Sequence, residues 1–360
     1  MGIQDKIKEL EDELARTQKN KATEYHIGIV KSKLAKLRRE LVAPRKHGAS
    51  AGGFDVKKSG NATVAIIGLP SVGKSTLLNK ITNAESKTAA YAFTTLKCIP
   101  GIMEYRQAKI QILDLPGIIE GAKDGRGRGR EVISVARGAD LVLAMVEAMN
   151  PAQQKVIESE LYGFGIRMNR KPPAVVIKAM LRGGITINST VKITKITDNE
   201  IHAVLNEYRI FSADVVLRED VTLDEFIDVL EGNRAYIPGV YVVSKADAVD
   251  KKELAKFPKG FITVSAEKGE GIENLKEAIY NTLRFMKIYT KRRGEKADLD
   301  EPMIVKSGMT VADICGLLHR DLKENFRYAL VWGKSVRHAG QRVGLEHTMA
   351  DGDIISIIKR

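Results

Sequence analysis

The sequence predicts an α/β fold with a doubly wound, mostly parallel sheet. It adds a helical pair before the sheet, a small α+β unit inserted into it, and a β-rich unit after it. Three observations predict this. Short apolar or β-branched runs at 63–67, 110–113, 141–146 and 240–243 alternate with helical patterns at 131–137 and 272–283, as buried parallel strands joined by helices do. A glycine-rich loop follows the first run directly and opens a helical stretch at 77–81. The stretches 165–236 and 288–360 instead read as several short strands with few helices.

Taken in order, residues 1–46 carry Ile7, Leu10 and Leu14, then Ile27, Val30, Leu34, Leu37 and Leu41, a narrow seam at helical spacing. The second helix has a basic opposite face, with Lys31, Lys33, Lys36, Arg38 and Arg39, followed by Arg45 and Lys46. That face is either solvated behind a packed seam or an arm for RNA phosphates. Residues 47–60 are a Gly-rich linker. The main α/β domain occupies 61–164 and resumes at 237–287. Inside the inserted 165–236, strands are expected at 174–177, 185–187, 191–196 and 214–217. A helical face there comprises Ile201, Val204, Leu205 and Tyr208, and a capping box runs from Thr222 to Glu225. In the tail, strands are expected at 303–305, 328–332 and 354–358, with a helix capped at Thr310.

The chain has 360 residues, enough for two to three domains, and is 44% hydrophobic and 29% charged. That composition excludes a disordered or fibrous protein. Its 58 Lys+Arg against 45 Asp+Glu give +13, which favours a polyanionic partner, nucleic acid or an anionic membrane surface. No apolar run approaches the ~18 residues of a membrane span, and no signal peptide is evident. Cys98 and Cys315 cannot build a disulfide framework. A cytoplasmic protein without a membrane role is expected, with both cysteines as small apolar residues.

The chemistry sits in five short motifs. GLPSVGKS at 68–75 is a complete phosphate loop between strand and helix. Gly68, Pro70, Ser71, Val72 and Gly73 shape a backbone nest for phosphates at a helix N-terminus, with Thr76 in the first turn. Lys74 reaches the β- and γ-phosphates, and the Ser75 hydroxyl ligates Mg²⁺. DLPG at 114–117 places Asp114 at a strand end for direct or, more readily, second-shell Mg²⁺ support, and Gly117 offers an N–H to the γ-phosphate. Between them, Phe93, Thr94 and Thr95 form a switch candidate, in which Thr95, or alternatively Thr94, closes over Mg²⁺. SKAD at 244–247 follows a strand. There Asp247 can accept from guanine N1 and N2, which adenine cannot match, and the Lys245 stem can lie along the base. Ser265 and Ala266 offer a backbone N–H to guanine O6. Lys74, Thr95 and Gly117 are the catalytic candidates.

In this order the motifs resemble the translation-factor-like GTPases, in particular the Obg-related subgroup. DLPGIIEGA at 114–122, YAFTT at 91–95, GRGRGR at 125–130, ARTQKNKATEY at 15–25 and EGNR at 231–234 resemble the developmentally regulated GTP-binding proteins, over essentially the whole chain. The resemblance implies a P-loop GTPase domain with a small inserted domain, and a C-terminal TGS domain of β-grasp, ubiquitin-like form. It implies GTP and GDP as ligands, Mg²⁺ as cofactor and an association with ribosomes, RNA and translation. Eukaryotic members of the family bind small regulatory proteins.

Two motifs depart from the common GTPase pattern. Ser244 stands where Asn usually bridges the base loop to the phosphate loop, which weakens the guanine site and keeps an ATPase as an alternative. Ile118 and Ile119 occupy the place of a water-orienting Gln, as in the family. Slow hydrolysis without a partner follows. A K⁺ ion near the phosphate loop, where Ser71 replaces the Asn of cation-dependent relatives, is one completion of the site. An arginine from Arg126, Arg128 or Arg130 is another. A second function class, a nucleotide-gated RNA- or ribosome-binding scaffold with incidental turnover, shares the same motifs. The tail has a basic surface around Trp332, itself expected in the core.

Overall fold

The computed structural model describes residues 2–42, 59–82, 99–115, 129–292 and 294–359. The central sheet runs in the order Ile262–Thr263, Gly239–Ser244, Leu141–Glu147, Ala62–Gly68, Ala108–Asp114, Ile99–Tyr105. The first five are mutually parallel and the last is antiparallel. Strand Ala62–Gly68 is buried at every residue, because helices cover both faces of a parallel sheet. Val64 and Ile66 pack with Leu77, Leu78, Leu275 and Ile279 on one side. Ala65 and Ile67 pack with Val132, Ala136, Ile157 and Leu161 on the other.

The strand Ile99–Tyr105 is not evident in the sequence. It joins its neighbour through Arg106 and Gln107, both at positive φ (48° and 70°). Primed hairpin turns need that geometry but usually signal it with Asn-Gly or Gly-Gly, so this turn carries no such mark.

In the inserted stretch, Val175–Ala179, Ala213–Leu217 and Ile185–Ser189 form a three-stranded sheet with Ala213–Leu217 central. The strand expected at 191–196 is absent. The Asp220 carboxylate instead accepts from the backbone N–H of Thr194 and Lys195 and from the Thr194 hydroxyl. That side chain takes the place of a ladder. Thr222 and Glu225 form the expected capping box of helix Leu223–Glu231.

The helices Ile3–Arg16 and Glu24–Val42 belong with this unit. Ile27 and Ala35 share one core with Val204, Val215, Phe226 and Ile227. The basic face of the second helix is largely paired. Lys31 bonds Asp224 at 2.9 Å, Lys36 bonds Glu207 at 2.8 Å, Arg39 approaches Glu231 at 3.5 Å, and Arg38 bonds Glu11 at 2.7 Å. Among its described cations only Lys33 is left exposed without such a partner. The alternative of a free RNA arm is therefore corrected for Lys31, Lys36, Arg38 and Arg39: Lys31, Lys36 and Arg39 neutralise acids of the inserted unit, and Arg38 neutralises an acid of the first helix. Arg45, Lys46 and most of the Gly-rich linker lie outside the described residues.

The tail is a five-stranded sheet in the order Met303–Lys306, Phe285–Thr290, Ile354–Lys359, Phe326–Trp332, Gln341–Val343. Helix Val311–Leu318 packs Val311, Ile314 and Cys315 on it. Helix Ile272–Leu283 passes into strand Phe285–Thr290 through Arg284 alone, in the left-handed conformation. The tail is docked rather than tethered: Lys306 bonds Asp140 at 2.5 Å and Asn61 donates to the Ile304 carbonyl at 3.0 Å. Trp332 is half-buried, with the Lys291 ammonium 4.6 Å above its ring, not in the core.

Candidate functional site

The phosphate loop leaves the central strand at Gly68 and enters helix Lys74–Ile81. Two of its glycines are geometric requirements. A Cβ on Gly68 would lie 2.8 Å from the Met145 carbonyl oxygen, and Gly73 has φ +89°, a region that disfavours other residues. Ser71 also adopts positive φ, 62°. Pro70 and Ser71 are exposed. The strand order reverses here, since the neighbours of Ala62–Gly68 are Ala108–Asp114 and Leu141–Glu147. A crevice outside the carboxyl ends of the strands follows from that topology.

Lys74 Nζ donates to the carbonyl oxygens of Gly68 and Leu69, each at 2.9 Å. Ser75 Oγ donates to Asp114 Oδ2 at 2.6 Å. Asp114 Oδ1 is buried with no hydrogen-bond partner. An orphaned, buried carboxylate oxygen is costly unless something positive satisfies it. A hydroxyl and a carboxylate beside a phosphate loop form a hard oxygen set, which suits Mg²⁺; the residues present fit the ion.

Beside the loop is a cleft of about 170 Å³. Val72, Gly73 and Thr76 line one wall, and Ser244, Lys245, Asp247 and Ala266 line the other. The phosphate loop and both base motifs, distant in sequence, thus share one space.

The Ser244 hydroxyl, buried, donates to the Val146 carbonyl at 3.3 Å, across to the neighbouring strand rather than to the phosphate loop. Lys245 sits at φ 54°, and its ammonium bonds Glu147 Oε1 at 2.7 Å. A hydrogen bond from the Ser265 hydroxyl, and then one from its own backbone, hold the Asp247 carboxyl below the usual carboxylate range. Ser265 is buried and its N–H donates to the Glu270 carbonyl at 3.0 Å. Of the two expected N–H donors, Ser265 is thereby occupied, and Ala266 lines the cleft.

Phe93, Thr94, Thr95 and Gly117 lie outside the described residues, as do Ile118, Ile119, Arg126 and Arg128; nothing is described of the Arg130 side chain. Glu147 was missed in the sequence. It carries the same signal as Asp114, an acid closing a buried apolar run, and here it orients Lys245.

A phosphate loop at the switch point of a doubly wound sheet, followed by a β-grasp-like tail, defines a P-loop GTPase with an appended domain. Family models match accordingly: a 50S ribosome-binding GTPase over 63–179, the C-terminal region of that domain over 182–285, and a TGS domain over 286–359. A GTP-binding protein of Methanocaldococcus jannaschii is 54% identical, over 99% of this chain and 93% of its own length. Human developmentally-regulated GTP-binding protein 2 is 49% identical, over the full length of both chains. Among solved structures, the Schizosaccharomyces pombe YchF GTPase aligns with TM-score 0.44 and 16% identity, over 84% of this chain and 99% of that one. The chain belongs to the developmentally regulated GTP-binding protein family.

Proposed function

We propose that this GTP-binding protein is a cytoplasmic, Mg²⁺-dependent GTPase that acts as a nucleotide switch on the ribosome or another RNA. The reaction is in-line attack of water on the γ-phosphorus of GTP, releasing GDP and phosphate. The observation that carries the reading is the shared cleft: Asp247, Ala266 and the phosphate loop converge on one space.

Each residue has a role in that reaction. The Lys74 ammonium exchanges the Gly68 and Leu69 carbonyls for β- and γ-phosphate oxygens. Ser75 and Asp114 hold Mg²⁺, with Thr95 or Thr94 joining as a switch. Bound there, the ion offsets charge on the phosphate oxygens. The Gly117 N–H senses the γ-phosphate. Asp247 accepts from guanine N1 and N2, and the Ala266 N–H donates to O6. Lys245 lies along the base once released from Glu147.

Ile118 cannot orient water by hydrogen bonding, so the isolated protein hydrolyses slowly. A ribosome, a small regulatory protein or a K⁺ ion would supply what is missing. The +13 formal charge and the ribosome-binding description of the matching family support a ribosomal or RNA partner. The absence of the Gln also favours a second reading, a nucleotide-gated scaffold with incidental turnover.

Competition of GTP and ATP for a fluorescent guanine nucleotide tests the guanine assignment. GTP is expected to displace the probe at least about 100-fold more effectively, since a site built to pair a polar edge rejects ligands that leave it unpaired. Equal displacement would sink the assignment and favour an ATPase.

A further inference from the structure

We propose that the open face and tip of the inserted unit bind RNA through its unpaired bases. This rests on the reading of a ribosomal or RNA partner and names the surface that makes the contact.

The three-stranded sheet has two unlike faces. Val175, Val215 and Leu217 point into the core beneath helices Asp198–Glu207 and Leu223–Glu231. Alternation sends their neighbours to the other side. There Val216 of the central strand pairs in register with Val176 on one side and Asn188 on the other, and Asp214 with Lys178 and Thr186. No described helix covers this side, and Val176 is exposed.

At one end the sheet closes into a tip. Met180 N–H donates to the Ser212 carbonyl at 2.8 Å, and Ala213 N–H to the Gly184 carbonyl at 3.0 Å. Those bonds set the turn after Ala179 beside the entry to Ala213. Three large apolar side chains stand out on it: Leu181 is fully exposed, Phe211 is 68% exposed and Met180 46%. A backbone tied down this way displays the three side chains without collapse, so their exposure is built into the tip. Contiguous exposed apolar groups on a folded domain mark a contact surface.

Charge separates the candidates for that contact. The unit's acids are mostly engaged on the helix-covered side. Glu200, Glu207, Asp224 and Glu231 meet Lys19, Lys36, Lys31 and Arg39 of the N-terminal region, while Asp228 meets Arg167 and Arg234. On the open face Lys178 and, by alternation, Arg218 are exposed, with Asp214 the in-register neighbour of Lys178; Arg182 at the tip, Lys192 and Arg209 are exposed as well, and no described acid forms an ion pair with any of the five. The pairing of acids on one side thus leaves a cationic surface on the other. Cations around an aromatic and aliphatic tip suit a polyanion that can also offer flat apolar groups. RNA with unpaired bases does both: phosphates meet the cations and bases pack on Phe211. A protein partner would need an acidic rim around an apolar centre, and is the competing outcome.

The test uses the full chain loaded with GDP or a non-hydrolysable GTP analogue. Its probes are a fluorescein-labelled RNA hairpin with a single-stranded loop, read by anisotropy, and purified ribosomal subunits, read by co-sedimentation. Phe211→Ala is expected to weaken hairpin binding about tenfold, in the range for loss of one stacked base. The double variant Lys178→Glu with Arg182→Glu should weaken it further and flatten the salt dependence between about 50 and 200 mM. Lys155→Glu, an exposed cation on helix Gln153–Gly163 of the GTPase domain, is the control and should bind as the parent does. All four substituted side chains are exposed, and retained guanine-nucleotide binding certifies the fold. Parent-like binding by both tip variants, or an equal loss in Lys155→Glu, overturns the tip assignment even where subunit co-sedimentation persists; the switch reading then stands. Co-sedimentation lost in the tip variants with no hairpin binding by the parent indicates a protein contact and also overturns it. Failure of the parent to bind either probe overturns the ribosome or RNA reading, and this proposal with it.

Discussion

Ser75 Oγ donates to Asp114 Oδ2 at 2.6 Å, joining two motifs 39 residues apart, while the other carboxylate oxygen of Asp114 is buried with no partner. The pairing converts a loop motif and a strand-end motif into one oxygen cluster beside the phosphate nest. Asp114→Asn preserves the shape and removes the charge. The Mg²⁺-dependent part of GTP affinity is expected to fall about ten- to hundredfold, in keeping with ~1.5–3 kcal/mol for a charged polar contact. Titration of GTP with Mg²⁺ present and chelated checks this, and binding in chelator should change much less.

Asp247 sets base choice. Asp247→Asn replaces an acceptor with a group that also donates, so the preference for GTP over ATP should shrink about 100-fold or more. The acidity of this carboxyl is predictable too. Its folded value is depressed by the Ser265 hydroxyl, so the charged form persists as pH falls past the ordinary carboxylate value of about 4. Guanine selectivity should therefore stay flat from neutral pH down to mildly acid conditions, and fade only as pH drops through the lowered value. Ser265→Ala moves that loss to higher pH, readable in nucleotide competition across pH.

Asp228 is a keystone of the junction between the inserted unit and the GTPase sheet. It accepts from Arg167 at 2.5 and 2.7 Å and from Arg234 at 2.6 Å, and all three side chains are buried. Arg137 reaches the same junction, bonding the carbonyls of Phe164 and Asn233. Removing the carboxylate strands two buried guanidiniums. Asp228→Ala should cost about 3–5 kcal/mol in denaturant unfolding, and Asp224→Ala, a half-exposed pair with Lys31, about 1 kcal/mol or less.

Ile27 ties the N-terminal helices to the inserted unit. It is buried in that unit's core beside Ala35, so Ile27→Ala should cost about 2–5 kcal/mol. Tyr208 marks the same seam. Burial first, and then its hydrogen bond to Glu231, push the phenol well above its ordinary range. It stays neutral through any practical pH, so alkaline titration of the folded chain by ultraviolet absorbance should leave it silent.

The motifs that place the nucleotide were legible because each is local. GLPSVGKS, DLPG and SKAD carry their turn residues and their chemistry within a few positions, and the Thr222 and Thr310 capping boxes do likewise. What the sequence could not display were pairings at long range. The basic face of Lys31, Lys36 and Arg39 reads as free until Asp224, Glu207 and Glu231 are folded against it. Lys245 offers its stem to the base in sequence, but its ammonium's partner, Glu147, lies 98 residues away. The 191–196 run has strand composition, yet Asp220, far along the chain, takes the N–H groups a ladder would use. Arg106 and Gln107 form a hairpin turn with none of the residues that usually announce one.

The central claim, a GTPase switch completed by the ribosome, is tested most directly by multiple-turnover GTP hydrolysis at fixed ionic strength. The assay compares KCl with NaCl, each with and without purified ribosomes. The account predicts slow basal turnover, raised at least about tenfold by ribosomes and lost in Ser75→Ala. A gain from K⁺ alone, with none from ribosomes, would identify an autonomous cation-assisted enzyme. No stimulation in any condition, despite nucleotide-dependent ribosome binding, would contradict the switch and leave the scaffold reading.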